Sequence, residues 1–284
     1  MSQESDIPDA EASPLLKDRS ESVASVGQKH PDLSKVRAIY FDLDDTLCGY
    51  WDASKAGLRK AFQLYGPPGY TVEEMVTHWA TAFRGFAPTL KETGWYDIYL
   101  QTAEPTRTEL MRRTLALLSI VDEERTTNLS RAYMEQRDGY LKLFNDSLRV
   151  LETLAPLYPL GLITNGPADL QRQEIATLGI ERFFKNVYIE GEMREGKPKQ
   201  SVFDRAAAAV ECAPENLLMV GNSFAHDIAP AVKYGWHAVW IRRPSDIPPS
   251  QTTVEQMPVG TPMPDAIIQH LSELMPLLGL KMPS

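Results

Sequence analysis

A chain of 284 residues, 43% hydrophobic and 24% charged, carries enough apolar material for a full α/β core and a second, smaller domain. Its formal net charge of −9 argues against a broad nucleic-acid footprint, and no apolar run reaches membrane-spanning length. Two cysteines, Cys48 and Cys212, lie far apart with no metal-ligand spacing, which points to a reducing compartment.

Residues 1–34 are rich in Ser, Asp, Glu and Pro and poor in aromatics. They lack the apolar centre of a secretory signal and the Arg-rich, acid-poor character of a transit peptide, so a disordered tail on a soluble, cytoplasmic protein is expected. Val36 to Phe41 reads as the first strand, β-branched and aromatic, running into Asp42-Leu43-Asp44-Asp45-Thr46. Helical patterns then take over at 54–64, 72–83, 106–119 and 126–143, broken at Gly66-Pro67-Pro68-Gly69, Ala87-Pro88 and Glu104-Pro105. This segment, 50–144, is expected to form an inserted helical domain.

Strand and helix alternate afterwards. A strand over 158–164 ends in Asn165-Gly166-Pro167, and a helix follows through Leu178. Next come a short strand at 186–189, an Ala-rich helix at 200–211, and a buried-type strand at 217–220 ending in Gly221-Asn222. A helix at 225–234, a strand at 237–241 and a final amphipathic helix at 265–277 complete the chain. The pattern predicts an α/β fold, a doubly wound parallel sheet built from 35–49 and 145–284.

Four segments put chemically capable residues at strand ends or on intervening loops, the edge where such sheets bind ligands. They are Phe41-Asp42-Leu43-Asp44-Asp45-Thr46-Leu47, Leu162-Ile163-Thr164-Asn165-Gly166, Glu195-Gly196-Lys197-Pro198, and Val220-Gly221-Asn222-Ser223-Phe224-Ala225-His226-Asp227-Ile228. Each has a plainer reading alone: turn aspartates, helix-capping Thr and Asn, a solvated loop lysine, a first-turn helix acid. In this order and spacing the four resemble the motifs of the haloacid dehalogenase superfamily, in the phosphatase-type branch with a helical cap after the first strand. The likeness can be followed from Val36 to Leu277.

That resemblance implies a phosphatase acting on a small phosphorylated metabolite with Mg²⁺. Asp42 would be the nucleophile that forms an aspartyl-phosphate, and Asp44 the acid and then base. Thr164, Asn165 and Lys197 would hold the phosphate, Lys197 supplying positive charge where negative charge accumulates. Asp42, the Asp44 backbone carbonyl, Asn222 and Asp227 would hold the metal. Asn222 departs from the family pattern, which has aspartate there; an amide oxygen can still coordinate, with one negative charge fewer. A phosphomutase, a dehalogenase and a non-enzymatic binding module are the rival readings. The dehalogenase would need neither Asp44 nor a metal. The histidines His78, His226 and His237 show no metal-ligand pairing, and Trp51, Trp79, Trp95, Tyr96 and Tyr99 are expected to pack the helical domain.

Overall fold

The structure, a computed structural model, describes residues 32–281. Four-residue strand β1 (Ala38–Phe41) is buried at every position, because its side chains alternate between two apolar clusters, one on each face of the sheet. Ile39 and Phe41 enter one cluster with Leu160, Leu162, Leu218, Val220, Val239 and Ile241. Ala38 and Tyr40 enter the other with Ile163, Leu217, Met219, Ala238 and Trp240. A strand buried on both faces is the mark of a parallel sheet covered by helices.

The remaining strands are β2 (Leu160–Thr164), β3 (Asn186–Ile189), β4 (Leu217–Gly221), β5 (His237–Ile241) and β6 (Ala266–Ile268). All pairings are parallel, in the order β3-β2-β1-β4-β5-β6. The predicted doubly wound α/β fold is therefore the observed one. Its strand order reverses between β1 and β4, where Phe41 lies in register with Val220 and the Asp42 N–H donates to the Val220 carbonyl at 2.9 Å. A crevice opens at such a reversal, past the strand ends.

Between β1 and β2 run α1 (Tyr50–Tyr65), α2 (Val72–Phe86), α3 (Trp95–Gln101), α4 (Ala103–Ala116), α5 (Glu123–Tyr140) and α6 (Ser147–Leu154). Helices α1, α2, α4 and α5 bury an apolar cluster of their own, including Leu58, Phe62, Met75, Trp79, Phe86, Met111 and Leu129. Thr71 and Glu74 close a reciprocal cap at the start of α2. Gly57 lets α1 approach α5, since a Cβ there would meet the Arg137 backbone nitrogen at 2.9 Å. The break expected at Glu104-Pro105 is instead the first turn of α4, where proline has no intrahelical bond to forfeit. Short α3 carries no periodic signal long enough to read.

The sheet is completed by α7 (Ala168–Leu178), α8 (Glu190–Met193), α9 (Gln200–Val210), α10 (Ala229–Lys233) and α11 (Leu274–Leu277), with a π-helical turn over Phe224–Ile228. The helix expected over 265–277 is a correction: residues 266–268 form the edge strand β6 on β5, and only a 3₁₀ turn and α11 follow. Edge pairing with Val239, Trp240 and Ile241 outweighs helix periodicity over so short an apolar run. The expected tail falls mostly outside the described residues, but Leu33 is 3% exposed within the core, so ordered packing begins before Lys35.

Candidate active site

Asp42 is the first residue past β1, and the loop after it turns at Asp45 in the left-handed region (φ 56°). An aspartate tolerates that conformation, and its carboxylate also accepts the Trp51 N–H at 3.2 Å. The turn brings the Thr46 hydroxyl back to Asp42 Oδ2 at 3.1 Å and within 3.4 Å of Asn222 Oδ1 on the neighbouring strand end.

Asp42 Oδ1 accepts from Lys197 Nζ at 2.7 Å, and the same ammonium lies 2.6 Å from Asp227 Oδ1. All three side chains are buried. Burial pushes both carboxyls up while Lys197 pulls them down, and the two carboxylates hold Lys197 protonated against its own burial. Asp227 Oδ2 accepts the Ser223 N–H at 2.9 Å, so each of its oxygens already has a partner. Gly221 makes room for this carboxylate: a Cβ there would lie 2.3 Å from Asp227 Oδ2.

Asn165 lines the cavity, but both polar atoms of its side chain are taken up by the Lys197 backbone. Its amide donates to the Lys197 carbonyl at 2.8 Å and its oxygen accepts the Lys197 N–H at 2.9 Å, which fixes the backbone that carries the lysine. Gly196 permits the approach, since a Cβ would sit 2.6 Å from Asn165 Oδ1.

Asp44 faces another set of partners. Gln171 on α7 donates to Asp44 Oδ2 and to Glu174 Oε2, both at 3.0 Å, and accepts the Thr164 hydroxyl at 2.6 Å. Glu174 is in turn ion-paired with Arg137 of α5. Burial first, then the charges of Glu174, Asp42 and Asp45, hold the Asp44 carboxyl well above the usual carboxylate range. Thr164 is thus at the site, with its proton committed to Gln171.

Sequence reasoning missed Gln171, Glu174, Arg137 and Asp246. The first two had a faint signal: α7 buries Leu170, Gln171, Glu174 and Ile175, polar residues on the helix face that should be apolar. Asp246, in the loop after β5, accepts from Asn222 Nδ2 at 2.9 Å. This bond orients the amide so that Oδ1 faces Asp42 and Thr46. Burial raises the Asp246 carboxyl to about 6, with Asn222 opposing and Asp42 adding to the rise.

Asp42 Oδ2 and Asn222 Oδ1 are the oxygens that converge beside the Thr46 hydroxyl. Among the described residues no three His, Cys, Asp or Glu side chains form a metal cage. A sparse oxygen set of one carboxylate and one amide fits Mg²⁺, which retains several waters, and does not fit zinc. A cavity of about 540 Å³ opens over these groups. Its floor includes Asp42, Asp44, Thr164, Lys197, Asn222 and Asp227, and its wall is drawn from α1, α2, α4 and α5, with Trp79, Phe83, Phe86, Leu110 and Tyr133.

The haloacid dehalogenase-like hydrolase family model matches residues 39–241. Curated relatives include the N-acylneuraminate-9-phosphatase of Rattus norvegicus, 24% identical and covering 87% of this chain and 95% of the relative. The phosphoserine phosphatase of Thermus thermophilus is 28% identical, covering 73% of this chain and 89% of its own. The glyceraldehyde 3-phosphate phosphatase of Methanothermobacter thermautotrophicus is 26% identical, covering 72% and 85%. Among solved structures, the HAD-hydrolase YfnB of Bacillus subtilis, bound to magnesium, superposes with a TM-score of 0.66 at 19% identity, over 86% of this chain and 99% of that one. The L-2-haloacid dehalogenase of Xanthobacter autotrophicus gives 0.61 at 19%, over 87% and 100%. These two likenesses concern the fold. A family match over well more than half of the chain, on the sheet edge where its four motifs meet, makes this protein a member of the haloacid dehalogenase-like hydrolase family.

Proposed function

We propose that this enzyme is a Mg²⁺-dependent phosphoric monoester hydrolase that cleaves a small phosphorylated metabolite through an aspartyl-phosphate at Asp42. The observation that carries the reading is the buried Asp42–Lys197–Asp227 triad at the β1/β4 reversal, with Asp44 two residues on and facing the same cavity. Asp44 favours phosphate-ester over carbon–halogen chemistry, because a halide leaves without a proton. The curated relatives are named for three different phosphate esters, so likeness to them supports the phosphate and selects no single leaving group.

In this reading an Asp42 oxygen attacks phosphorus and the ester P–O bond breaks. Asp44, kept protonated by burial and its acidic neighbours, gives its proton to the departing alkoxide. Water then attacks the aspartyl-phosphate at phosphorus, Asp44 takes its proton, and inorganic phosphate leaves with Asp42 restored. Lys197 neutralises charge between nucleophile and phosphoryl oxygens, while Asp227 and Asn165 hold Lys197 in place. Mg²⁺, held by Asp42, Asn222 and the Asp44 carbonyl, would supply Lewis-acid stabilisation of the phosphoryl oxygens. Helices α1–α5 act as a cap that excludes water and reads the leaving group. A reducing, cytoplasmic setting belongs to the same reading, supported by the unpaired Cys48 and Cys212.

The test is a panel of phosphorylated metabolites and 2-haloacids assayed with Mg²⁺, after chelation, and after Mg²⁺ is restored. Phosphate release that follows the metal is the expected result. Halide release without divalent metal, and no phosphate release, would overturn the proposal.

A further inference from the structure

The helical wall of the cavity contains donors that the protein leaves without acceptors. Arg107 on α4 is half-buried; its Nε reaches Ser130 Oγ at 3.3 Å and one terminal nitrogen lies 3.4 Å from Met134 Sδ. Among the described residues no carboxylate comes within ion-pairing distance of it. The acidic charges that it feels are Glu104 and Asp169, and Arg137 adds a like charge. Asp169 already accepts from the Thr102 hydroxyl at 2.7 Å and the Ala103 N–H at 3.2 Å, and Glu104 from the Thr108 hydroxyl at 3.1 Å. Trp79 and Thr106, 4% and 8% exposed, line the same cavity, and their buried Nε1 and Oγ1 atoms have no hydrogen-bond partner.

A half-buried guanidinium without a counter-ion, in the same cavity wall as buried donors without acceptors, costs stability that a ligand can return. The guanidinium stays charged at neutral pH, and its planar fork fits the paired oxygens of a carboxylate or phosphate. At the floor Lys197 is already shared between Asp42, Asp227 and the phosphate being cleaved, so a second anionic group on the substrate finds its cation at the wall.

We propose that Arg107, with Trp79 and Thr106, forms a leaving-group subsite for metabolites that carry a second anionic oxygen group beside the phosphate ester being cleaved. The inference rests on the phosphatase reading above for the cleaved ester and adds the class of leaving group. A carboxylate and a second phosphate share the required chemistry.

Matched probes separate these sources: O-phosphoserine against phosphoethanolamine for a carboxylate, and fructose 1,6-bisphosphate against fructose 6-phosphate for a phosphate. With the full chain and Mg²⁺, kcat/KM should favour the anionic member of one pair by at least about tenfold. Arg107→Met should reduce that ratio to within about twofold, with Arg107→Lys between the two. Ratios near one in the unmodified enzyme, or a preference that survives Arg107→Met, overturn the subsite. Calorimetry of the same probes on Asp42→Asn protein carries the test independently of turnover. Preferential binding that Arg107→Met abolishes supports the subsite even if no probe is hydrolysed, in which case the phosphatase reading alone fails; equal affinity for both members of each pair overturns the subsite.

Discussion

Arg137 on α5 and Glu174 on α7 form an ion pair in which both side chains are buried, at 1% and 0% exposure. Through Gln171 the same pair reaches Asp44 and Thr164, so a helix of the inserted segment is wired to the carboxyl proposed as acid and base. Removing Arg137 strands the Glu174 charge in the interior, and removing Glu174 leaves the buried guanidinium only the half-buried Asp138 at 2.8 Å. Arg137→Met and Glu174→Met should each cost roughly 3–5 kcal/mol in chemical denaturation. The double variant should cost less than the sum of the two. Single variants within 1 kcal/mol of the parent, on that same scale, would mean water reaches the pair.

Gly221 and Gly85 make a paired test of backbone space. A methyl at 221 meets the Asp227 carboxylate at 2.3 Å, whereas one at 85 meets nothing within 4 Å. Gly221→Ala should lower stability by about 1–3 kcal/mol and turnover by more, since Lys197 loses its anchor. Gly85→Ala, within α2, should be neutral or stabilising by up to about 1 kcal/mol. Thermal melts and initial rates of the two variants check this, and similar behaviour of the pair would refute the steric account.

Asn222 donates to Asp246 at 2.9 Å, which changes what restoring an aspartate should do. Charge counting alone predicts that Asn222→Asp tightens metal binding. In this structure it places a second carboxylate against Asp246. Without metal, Asn222→Asp should be destabilised by roughly 1–3 kcal/mol, through a lost hydrogen bond and like-charge repulsion. Asn222→Asp with Asp246→Asn should recover most of the loss. Melting curves in chelator decide it, and an unchanged curve for the single variant would remove Asp246 from the account.

Leu33 is buried in the cluster that also holds Val36 and Ile39, and its carbonyl accepts the Val36 N–H at 3.1 Å. A chain starting at Lys35 should therefore be about 2 kcal/mol less stable than one starting at Asp32. Equal denaturation midpoints would show that Leu33 contributes nothing.

The sheet's central strands and most helices were legible because each is long enough, or apolar enough, to carry its own period. Ala266–Ile268 was not: three apolar residues before Leu271, Leu274 and Met275 fit a helix as well as a strand, and only pairing with β5 decides. The four motifs located Asp42, Asp44, Thr164, Lys197 and Asp227 on one cavity, since strand ends converge wherever a parallel sheet reverses. Roles within that group depended on contacts without sequence spacing. Asn165 is spent on the Lys197 backbone, Asp227 on the Lys197 side chain, and Thr164 on Gln171. Asp246 lies 24 positions from Asn222, a separation no local pattern encodes.

The nucleophilic role of Asp42 is tested most directly by trapping its covalent intermediate. The enzyme is mixed with p-nitrophenyl phosphate and Mg²⁺, quenched in acid within the first turnover, digested and analysed by mass spectrometry. The peptide carrying Asp42 should gain one phosphoryl group before free phosphate accumulates, and Asp42→Asn protein should show neither adduct nor turnover. Near-parental phosphate release by Asp42→Asn protein, or a phosphoryl group found on a different side chain, would contradict the account.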